Sequence, residues 1–307
     1  MTWAHKGVAL LLLAAGLVVL PACGGQQPSG PQKVSVVTTF YPLEYLAQRI
    51  GGDRVKVTSL VPPGTEPHDF EPSPKDVASI QKAALFVYNG AGLEPWADRI
   101  VQSLKGERPL VVNASQGVEL LTLSEEAGQA GQAVDPHVWL DPQRYFLQAQ
   151  AIHLALAQAD SQGVYVYDAN FEYLRSDLAS LDSEMRQGLA SCMRRTIVTS
   201  HAAFGYLAGS YNLRQISLAG FTPETEPSPA RMKEIIQEVK ASGATAVFYE
   251  TLASPAVAET IARETGTQAM VLDPLEGLTP NQVQAGEDYF TIMHKNLANL
   301  RTALACQ

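Results

Sequence analysis

The chain has 307 residues, of which 46% are hydrophobic, and this content is ample for the packed cores of two domains of ordinary size. Its 22 basic and 31 acidic residues give a net charge of −9, without a basic patch, so the composition argues against nucleic acid as a partner. An acidic balance is compatible with cation handling but does not indicate it.

The first 22 residues have the composition of an export signal. Lys6 precedes an apolar run at 8–20, and small residues follow around Cys23. The run is shorter than the roughly 20 residues that a transmembrane helix needs. The cysteine directly after Leu-Pro-Ala resembles the lipobox of bacterial lipoproteins, which implies cleavage before Cys23 and lipid on its thiol. The alternative is an ordinary secretory signal with a leftover cysteine.

Residues 23–33 are predicted to form a lipidated tether. The segment 24–32, GGQQPSGPQ, has the glycine, proline and polar content of a flexible linker. One or two acyl chains on such a linker would hold a soluble domain at a membrane surface. We therefore expect an exported, monomeric protein, anchored at the outer face of the plasma membrane or in the periplasm.

Strands alternate with helices over 34–141, the predicted N-terminal lobe. Strands are expected at 34–38, 55–61, 84–89 and 109–114, and helices at 41–50, 73–83 and 95–104. The second of these helices opens at Ser73, which is followed by a proline and, three residues on, by an acid, as is typical of a helix N-terminus. Short apolar strands alternating with helices predict a parallel α/β sheet.

An acidic loop of small residues at 121–135 interrupts this alternation. Helical spacing follows at 143–159 and at 165–189. The second stretch, about 25 residues long, would span roughly 37 Å at 1.5 Å per residue, more than a small domain. We therefore predict that residues 142–190 form a stiff helical connector.

The alternation resumes over 191–307, the predicted C-terminal lobe. Strands are expected at 196–200, 214–218, 246–250 and 268–273, and helices at 202–212, 229–242, 255–265 and 288–305. The predicted fold class is therefore α/β, with two lobes that each contain a mostly parallel sheet flanked by helices, joined by one long rigid helix.

Two cysteines besides Cys23 lie in this part of the chain, Cys192 and Cys306. In an oxidising compartment such a pair is more often a disulfide than a metal site. The alternative is two unpaired thiols.

Four side chains are candidate metal ligands: His68, His137, His201 and Asp273. Each follows a predicted strand or lies in a proline-containing loop, and open α/β sheets bind ligands outside the carboxyl ends of their strands. Three imidazoles and a carboxylate make a full tetrahedral shell for a divalent ion such as zinc. Each lobe contributes two of the four, so the predicted site lies in the cleft between the lobes.

Taken singly, each candidate also has an ordinary structural interpretation, since a lone loop histidine is usually a surface residue and Asp273 precedes a proline in a turn. The joint interpretation is stronger because His153 and His294 lie inside predicted helices, where a structural or solvent-facing role is expected. Glu66 and Glu250 are candidates for hydrogen-bonding partners of the ligands, or for substitute ligands.

The chain resembles the metal-binding lipoproteins of bacterial ABC importers, the ZnuA/TroA-like solute-binding family. The resemblance lies in PHDFEPSP, DPHVWLDP, TSHAAFGYLAGSYNL, TPETEPSP at 222–229 and LDPLEGL, and it runs in order over 34–306. It implies two α/β lobes, one long connecting helix, and delivery of Zn²⁺, Mn²⁺ or Fe²⁺ to a membrane permease. The family's ligands fall on His68, His137, His201 and Asp273. The pair Cys192 and Cys306 resembles the bridged subgroup of the family.

The third ligand position bears on the metal. Manganese-type members of the family commonly have Glu there, whereas this chain has His201, so we predict a zinc carrier, with Mn²⁺ or Fe²⁺ as the alternative cargo. Many zinc members have a His-rich loop before the second ligand, but the loop at 121–135 contains no histidine.

A zinc enzyme is the competing class of function. Catalytic zinc keeps one coordination position open and relies on a nearby base, whereas four protein ligands close the shell. The sequence has no HExxH motif and no evident pair of nucleophile and base. We therefore predict no catalytic residues and no enzyme activity. A surface adhesin is compatible with the tether, but no feature of the sequence argues for it.

Overall fold

The computed structural model describes residues 1–3, 33–104, 106, 108–122, 134–221 and 228–307. The export signal, Cys23 and the tether lie outside these residues, so export and lipidation stay predictions here. Most of the loop at 121–135 and most of the TPETEPSP segment lie outside them as well. Within the described ranges, no helix is both long and apolar enough to span a bilayer.

The first sheet has four parallel strands in the order β2-β1-β3-β4. The strands are β1 (Val34–Thr38), β2 (Val55–Ser59), β3 (Leu85–Tyr88) and β4 (Leu110–Asn113). Helices connect consecutive strands, as parallel pairing requires, and they are α1 (Tyr41–Gly51), α2 (Pro74–Lys82) and α3 (Ala97–Ser103). Ser73 caps α2 in a capping box with Asp76, which confirms the N-terminus predicted from the sequence.

The second sheet repeats this plan, with four parallel strands in the order β6-β5-β7-β8. The strands are β5 (Thr196–Thr199), β6 (Arg214–Ser217), β7 (Ala246–Tyr249) and β8 (Gln268–Val271). The helices of this lobe are α6 (Gly205–Ser210), α7 (Pro229–Ser242), α8 (Ala256–Thr265), α9 (Pro280–Gln284) and α10 (Tyr289–Leu304). Two lobes with parallel sheets and flanking helices confirm the predicted fold class.

Two long helices, α4 (Pro142–Ala159) and α5 (Val164–Ala190), connect the sheets. The α5 helix has 27 residues and packs against α4, against α1 of the first lobe and against α10 of the second. Its buried residues recur every three or four positions and are Tyr167, Phe171, Leu174, Leu178, Leu181, Met185 and Leu189. Full burial of one such Leu or Met side chain contributes about 1.5–3 kcal/mol, so this apolar stripe holds α5 against both lobes.

The structure departs from the sequence-based elements in two places that matter for the site. The helix predicted at 202–212 begins only at Gly205, because the Ala202 N–H donates to the Gly220 carbonyl (2.7 Å) and holds residues 202–204 in a loop. The α9 helix was not predicted, although Thr279, Pro280 and Gln282 form a capping box with proline at the first helical position.

Cys192 and Cys306 are joined by a disulfide, which ties the end of α5 to the C-terminus. Backbone bonds run beside it, from the Arg194 N–H to the Leu304 carbonyl (3.1 Å) and from the Gln307 N–H to the Ser191 carbonyl (3.2 Å). The C-terminal segment is therefore fastened to the entry of the second lobe by the bridge and by these backbone hydrogen bonds.

Reduction of this bridge is expected to lower the melting temperature without removing bound metal. The two cysteines are 114 positions apart, and the chain-entropy model gives about 4.7 kcal/mol for a loop of roughly this length. Neither sulfur belongs to the predicted metal site, so metal content should not change. Non-reducing peptide mapping of the mature protein should recover a linked Cys192–Cys306 peptide. Recovery of two alkylatable thiols from the exported protein would refute the bridge.

Candidate metal centre

Loops at the carboxyl ends of the parallel strands carry the groups of the candidate site. His68 lies in the loop after β2, and His137 lies between β4 and α4. His201 comes directly after β5, and Glu276 follows β8. Because the strands of each sheet are parallel, these loops share one edge of their sheet. Two of the side chains come from each lobe, which is the arrangement predicted from the sequence.

The four side chains converge on a single point. The Nε2 atom of His137 lies 3.2 Å from Nε2 of His68 and 3.2 Å from Nε2 of His201. Oε1 of Glu276 lies 3.3, 3.1 and 3.2 Å from Nε2 of His68, His137 and His201, respectively. Zinc ligands sit about 2.0–2.1 Å from the ion, so the corners of a regular tetrahedron around it are about 3.3–3.4 Å apart. These five separations are close to the edge length of such a tetrahedron.

The site is closed to water on most sides. His137 and His201 are fully buried, and Glu276 is 1% exposed. The side chain of His68 is 5% exposed, which makes it the most accessible of the four. A low local dielectric strengthens the attraction between a divalent cation and the Glu276 carboxylate.

Carboxylates on the far side of two imidazoles orient the rings. Oδ1 of Asp135 lies 2.8 Å from Nδ1 of His137 and also accepts the backbone N–H of His137 at 3.0 Å. Oε1 of Glu250 lies 2.6 Å from Nδ1 of His201. A carboxylate at Nδ1 favours a proton on that nitrogen and directs the lone pair of Nε2 toward the cluster, as in many zinc sites. Sequence reasoning proposed Glu250 for such a place but missed Asp135.

Three carboxylate oxygens around the cluster have no hydrogen-bond partner among the described residues. They are Oε2 of Glu66, of Glu250 and of Glu276, and all three are buried. A buried, unpaired carboxylate oxygen is costly, so three of them beside one histidine cluster fit the surroundings of a cation.

Most of this chain is similar to known proteins. The family model ZnuA, "Zinc-uptake complex component A periplasmic", matches residues 36–303. The chain belongs to the ZnuA family. This ZnuA-family chain is 36% identical to the zinc-binding lipoprotein AdcA of Streptococcus pneumoniae over 96% of its own length and 60% of that relative. It therefore spans about 60% of the length of that curated streptococcal relative.

Two further matches cover nearly the whole length of the proteins compared. The chain is 35% identical to the high-affinity zinc uptake system protein ZnuA of Bacillus subtilis, over 97% of this chain and 98% of that protein. The crystal structure of the Zn(II)-bound ZnuA-like domain of Streptococcus pneumoniae AdcA superposes with a TM-score of 0.78 at 36% identity, over 89% of this chain and 99% of that domain. The ZnuA/TroA-like resemblance read from the sequence motifs is thus confirmed.

Asp273, the predicted fourth ligand, lies outside the cluster of this ZnuA-family chain. Its carboxylate accepts the Leu275 N–H (2.8 Å), the Thr251 hydroxyl (3.0 Å) and the Gln282 amide (2.8 Å), so its oxygens are committed to shaping the loop. Leu275 adopts a φ of 57°, and the chain turns there before it presents Glu276. The structure thus brings together the three predicted histidines, places Glu276 beside them, and leaves Asp273 in the same loop but outside the cluster. The sequence feature that could have pointed to Glu276 is the second acid of the motif LDPLEGL.

The charges within the site shift the pKa values of its buried groups. Burial opposes a protonated His201, but the Glu250 and Glu276 carboxylates outweigh it and raise the pKa of His201 well above its ordinary value. Burial likewise opposes an ionised Glu276, but the charge on His201 and hydrogen bonds from the three histidines hold its pKa well below the usual range. A bound cation would take over the role of the His201 proton.

Burial and the same charges also shift the pKa values of Glu66 and His137. Burial, followed by the charge on Glu276, raises the pKa of Glu66 to about 9. Burial lowers the pKa of His137, but the hydrogen bonds that its ring donates to Asp135 and Glu276 outweigh it, and the net shift is upward. A divalent cation in the centre would stabilise the ionised form of each carboxylate in this region.

The remaining histidines described by the structure lie away from the cluster of the ZnuA-family chain. Nε2 of His153 lies 2.7 Å from Asp168, and the ring stacks on Phe171 at 4.5 Å between centroids. Nε2 of His294 lies 2.9 Å from Glu184 on the surface. Both were expected from the sequence to be structural or solvent-facing.

Proposed function

We propose that this chain binds one Zn²⁺ outside the cytoplasm and delivers it to the membrane permease of an ABC importer. The observation that carries the proposal is the buried cluster of four side chains, whose ligand atoms all lie within 4.8 Å of one another: His68, His137, His201 and Glu276. Zinc is the cargo here, not a resident cofactor. The names of the relatives, zinc-binding lipoprotein AdcA and high-affinity zinc uptake system protein ZnuA, support this assignment.

The donor set favours zinc over the alternative cargoes. Zinc readily takes tetrahedral shells rich in imidazole nitrogen, whereas manganese prefers more oxygen ligands and a higher coordination number. Three nitrogens and one carboxylate oxygen, with separations of 3.1–3.3 Å to that oxygen, match the first preference. Mn²⁺ and Fe²⁺ remain the alternatives that metal analysis must distinguish.

The number of protein groups around the proposed ion also favours a carrier over an enzyme. A zinc hydrolase reserves a coordination position for water, and its protein ligands number three. Here four protein groups already surround the point where the ion would sit. The matched family is described as the periplasmic component of an uptake complex, which supports binding and transfer over catalysis.

The location follows from the same assignment. The relatives include a protein named as a lipoprotein and one named as part of an uptake system. We infer that the chain is exported, that lipid on Cys23 tethers it to the membrane surface, and that residues 34–141 and 191–307 act as lobes around the ion with residues 142–190 as their connector.

Metal analysis of the purified protein tests the proposal directly. Protein prepared from cells without added metal should contain about one zinc per chain by inductively coupled plasma mass spectrometry, because the structure offers one four-ligand cluster in its described residues. Manganese or iron at that stoichiometry, with little zinc, would identify a different cargo. Absence of any bound metal after reconstitution with Zn²⁺ would refute the metal-binding role itself.

Growth of a deletion strain tests transport separately from binding. Loss of the gene should produce a growth defect in metal-depleted medium that added zinc relieves and added manganese does not. A chain that binds zinc in vitro while its deletion strain responds to manganese alone would contradict the proposed delivery of zinc.

A further inference from the structure

We propose that Trp139 is a positioning residue of the metal centre, which fixes the distance between the loop that carries His137 and the loop that carries Glu276. The proposal rests on the proposed function, since it concerns the same zinc site. It assigns a role to a side chain that is not a ligand and that makes no contact with the ion.

The indole of Trp139 connects ligand loops from opposite lobes. Trp139 follows His137 by two residues, within a short 3-10 helix at Val138–Leu140. Its Nε1–H donates to the carbonyl of Pro274 at 2.7 Å, and Pro274 precedes Glu276 by two residues. The same ring packs against the His137 ring, with 5.2 Å between centroids. One side chain therefore touches a ligand of the first lobe and is hydrogen-bonded to the ligand loop of the second.

A second hydrogen bond links the backbone of Trp139 to the second lobe. The hydroxyl of Tyr289, on α10 of the second lobe, donates to the backbone carbonyl of Trp139 at 2.7 Å. Tyr289 stacks on Tyr145 at 4.3 Å between centroids, and the Trp139 ring meets Phe40 edge-on at 4.8 Å. Trp139 thus donates one hydrogen bond to the second lobe and accepts one from it. We call these two bonds the lobe clasp.

The two residues of the lobe clasp and the rings packed on them are shielded from water. Trp139, Tyr289, Tyr145 and Phe40 are all fully buried. In such surroundings a hydrogen bond is strong, and breaking it leaves a carbonyl without a partner. The ring of Phe40 packs on Trp139 and the ring of Tyr145 packs on Tyr289, next to these two bonds.

The geometry of the metal centre depends on this fixed distance. Nε2 of His137 and Oε1 of Glu276 are 3.1 Å apart, and they belong to the two loops that the clasp joins. Ligand sites lose much of their affinity when supporting groups let them loosen by about 1 Å. Removal of partners that orient metal ligands typically costs about 10–100-fold in affinity. Loosening the clasp should act mainly by letting the ion escape faster.

The test compares W139F with Y145F in the full mature protein. Both variants keep an aromatic ring and remove one buried donor to a carbonyl at 2.7 Å, but the Tyr145 hydroxyl donates to Pro42, on α1, and reaches no ligand loop. Zinc affinity is measured by competition with a chelator, zinc dissociation by stopped flow, and ligand geometry by the visible spectrum of the Co²⁺-loaded protein.

W139F is expected to bind zinc about 10–100-fold more weakly than the wild type, to release it correspondingly faster, and to show a weaker, shifted tetrahedral Co²⁺ spectrum. Y145F should lose some thermal stability with its buried hydrogen bond while keeping the wild-type affinity, dissociation rate and spectrum. Equal zinc affinities and Co²⁺ spectra in W139F and Y145F would overturn the proposal.

If W139F does not fold, a comparison of Y289F with Y145F tests the proposal instead. Y289F removes the other bond of the clasp and keeps the ring, so it should release zinc faster than Y145F by several-fold or more. Equal release from Y289F and Y145F would then overturn the proposal. Failure of the wild-type protein to bind zinc would instead refute the proposed function, so the two failures are distinguishable.

Discussion

Replacement of His137 by Ala is expected to lower zinc affinity by more than about 100-fold, which exceeds the usual effect of losing a group that only supports a ligand. Its Nε2 lies within 3.2 Å of Nε2 of the other two histidines and 3.1 Å from Oε1 of Glu276, so it occupies one corner of the four-atom cluster. The fold should persist, because the Asp135 carboxylate still accepts the backbone N–H at position 137. Competition titration measures the affinity, and circular dichroism checks the fold.

The matched control is His153→Ala. That ring is also largely buried, with 14% of the side chain exposed, and it also pairs with an acid, Asp168. It stacks on Phe171 in the helical connector and takes no part in the cluster. H153A should therefore keep the wild-type zinc affinity. Equal losses in H137A and H153A would show that the effect of H137A is a general weakening of the fold.

Replacement of Glu276 by Gln is expected to reduce zinc affinity by more than about 100-fold, whereas Asp273→Asn should leave it within about tenfold of the wild type. Glu276 brings an ionised oxygen to within 3.3 Å of all three histidines, and its amide analogue carries no charge to balance the cation. Asp273 acts on the shape of the loop through bonds to Leu275, Thr251 and Gln282.

D273N is expected to change the stability of the protein more than its zinc affinity. Hydrogen bonds to a charged group contribute about 1.5–3 kcal/mol each, so the weakened acceptor should lower the free energy of unfolding of the metal-free protein by an amount of this order. Chemical denaturation of the metal-free variants measures this, and zinc competition measures the affinity. If D273N abolished zinc binding and E276Q spared it, the fourth ligand would be Asp273 and the loop would have to rearrange around the ion.

Local patterns in the sequence predicted most of the helices and strands of this fold. The three-four spacing of Phe171, Leu174 and Leu178 predicts the long helix α5, because only a helix places those residues on one face. The cap at Ser73 marks the start of α2 for an equally local reason, since its hydroxyl accepts a backbone N–H three residues ahead. Short apolar strands between helices predict parallel pairing, which in turn places the histidines at one edge of each sheet.

Such patterns do not decide which acid of this loop faces the three histidines. Asp273 and Glu276 stand in one loop, and either could be expected at the end of a strand. The structure separates them through distant contacts: Asn296 on α10 donates to the Asp273 carbonyl at 2.7 Å and accepts the Asp273 N–H at 2.9 Å, while Gln282 on α9 binds the carboxylate. Those partners fix which acid faces the histidines.

The sequence by itself thus determined the two parallel sheets, the long helix α5 and the three histidines, because periodicity, caps and strand ends are properties of neighbouring residues. Only the tertiary structure decided that Glu276 faces the three histidines, that Asp135 and Glu250 contact the Nδ1 atoms of His137 and His201, and that Trp139 is hydrogen-bonded to the loop of Glu276. Each of these depends on a side chain that meets its partner across the fold, at a distance and angle that no local pattern encodes.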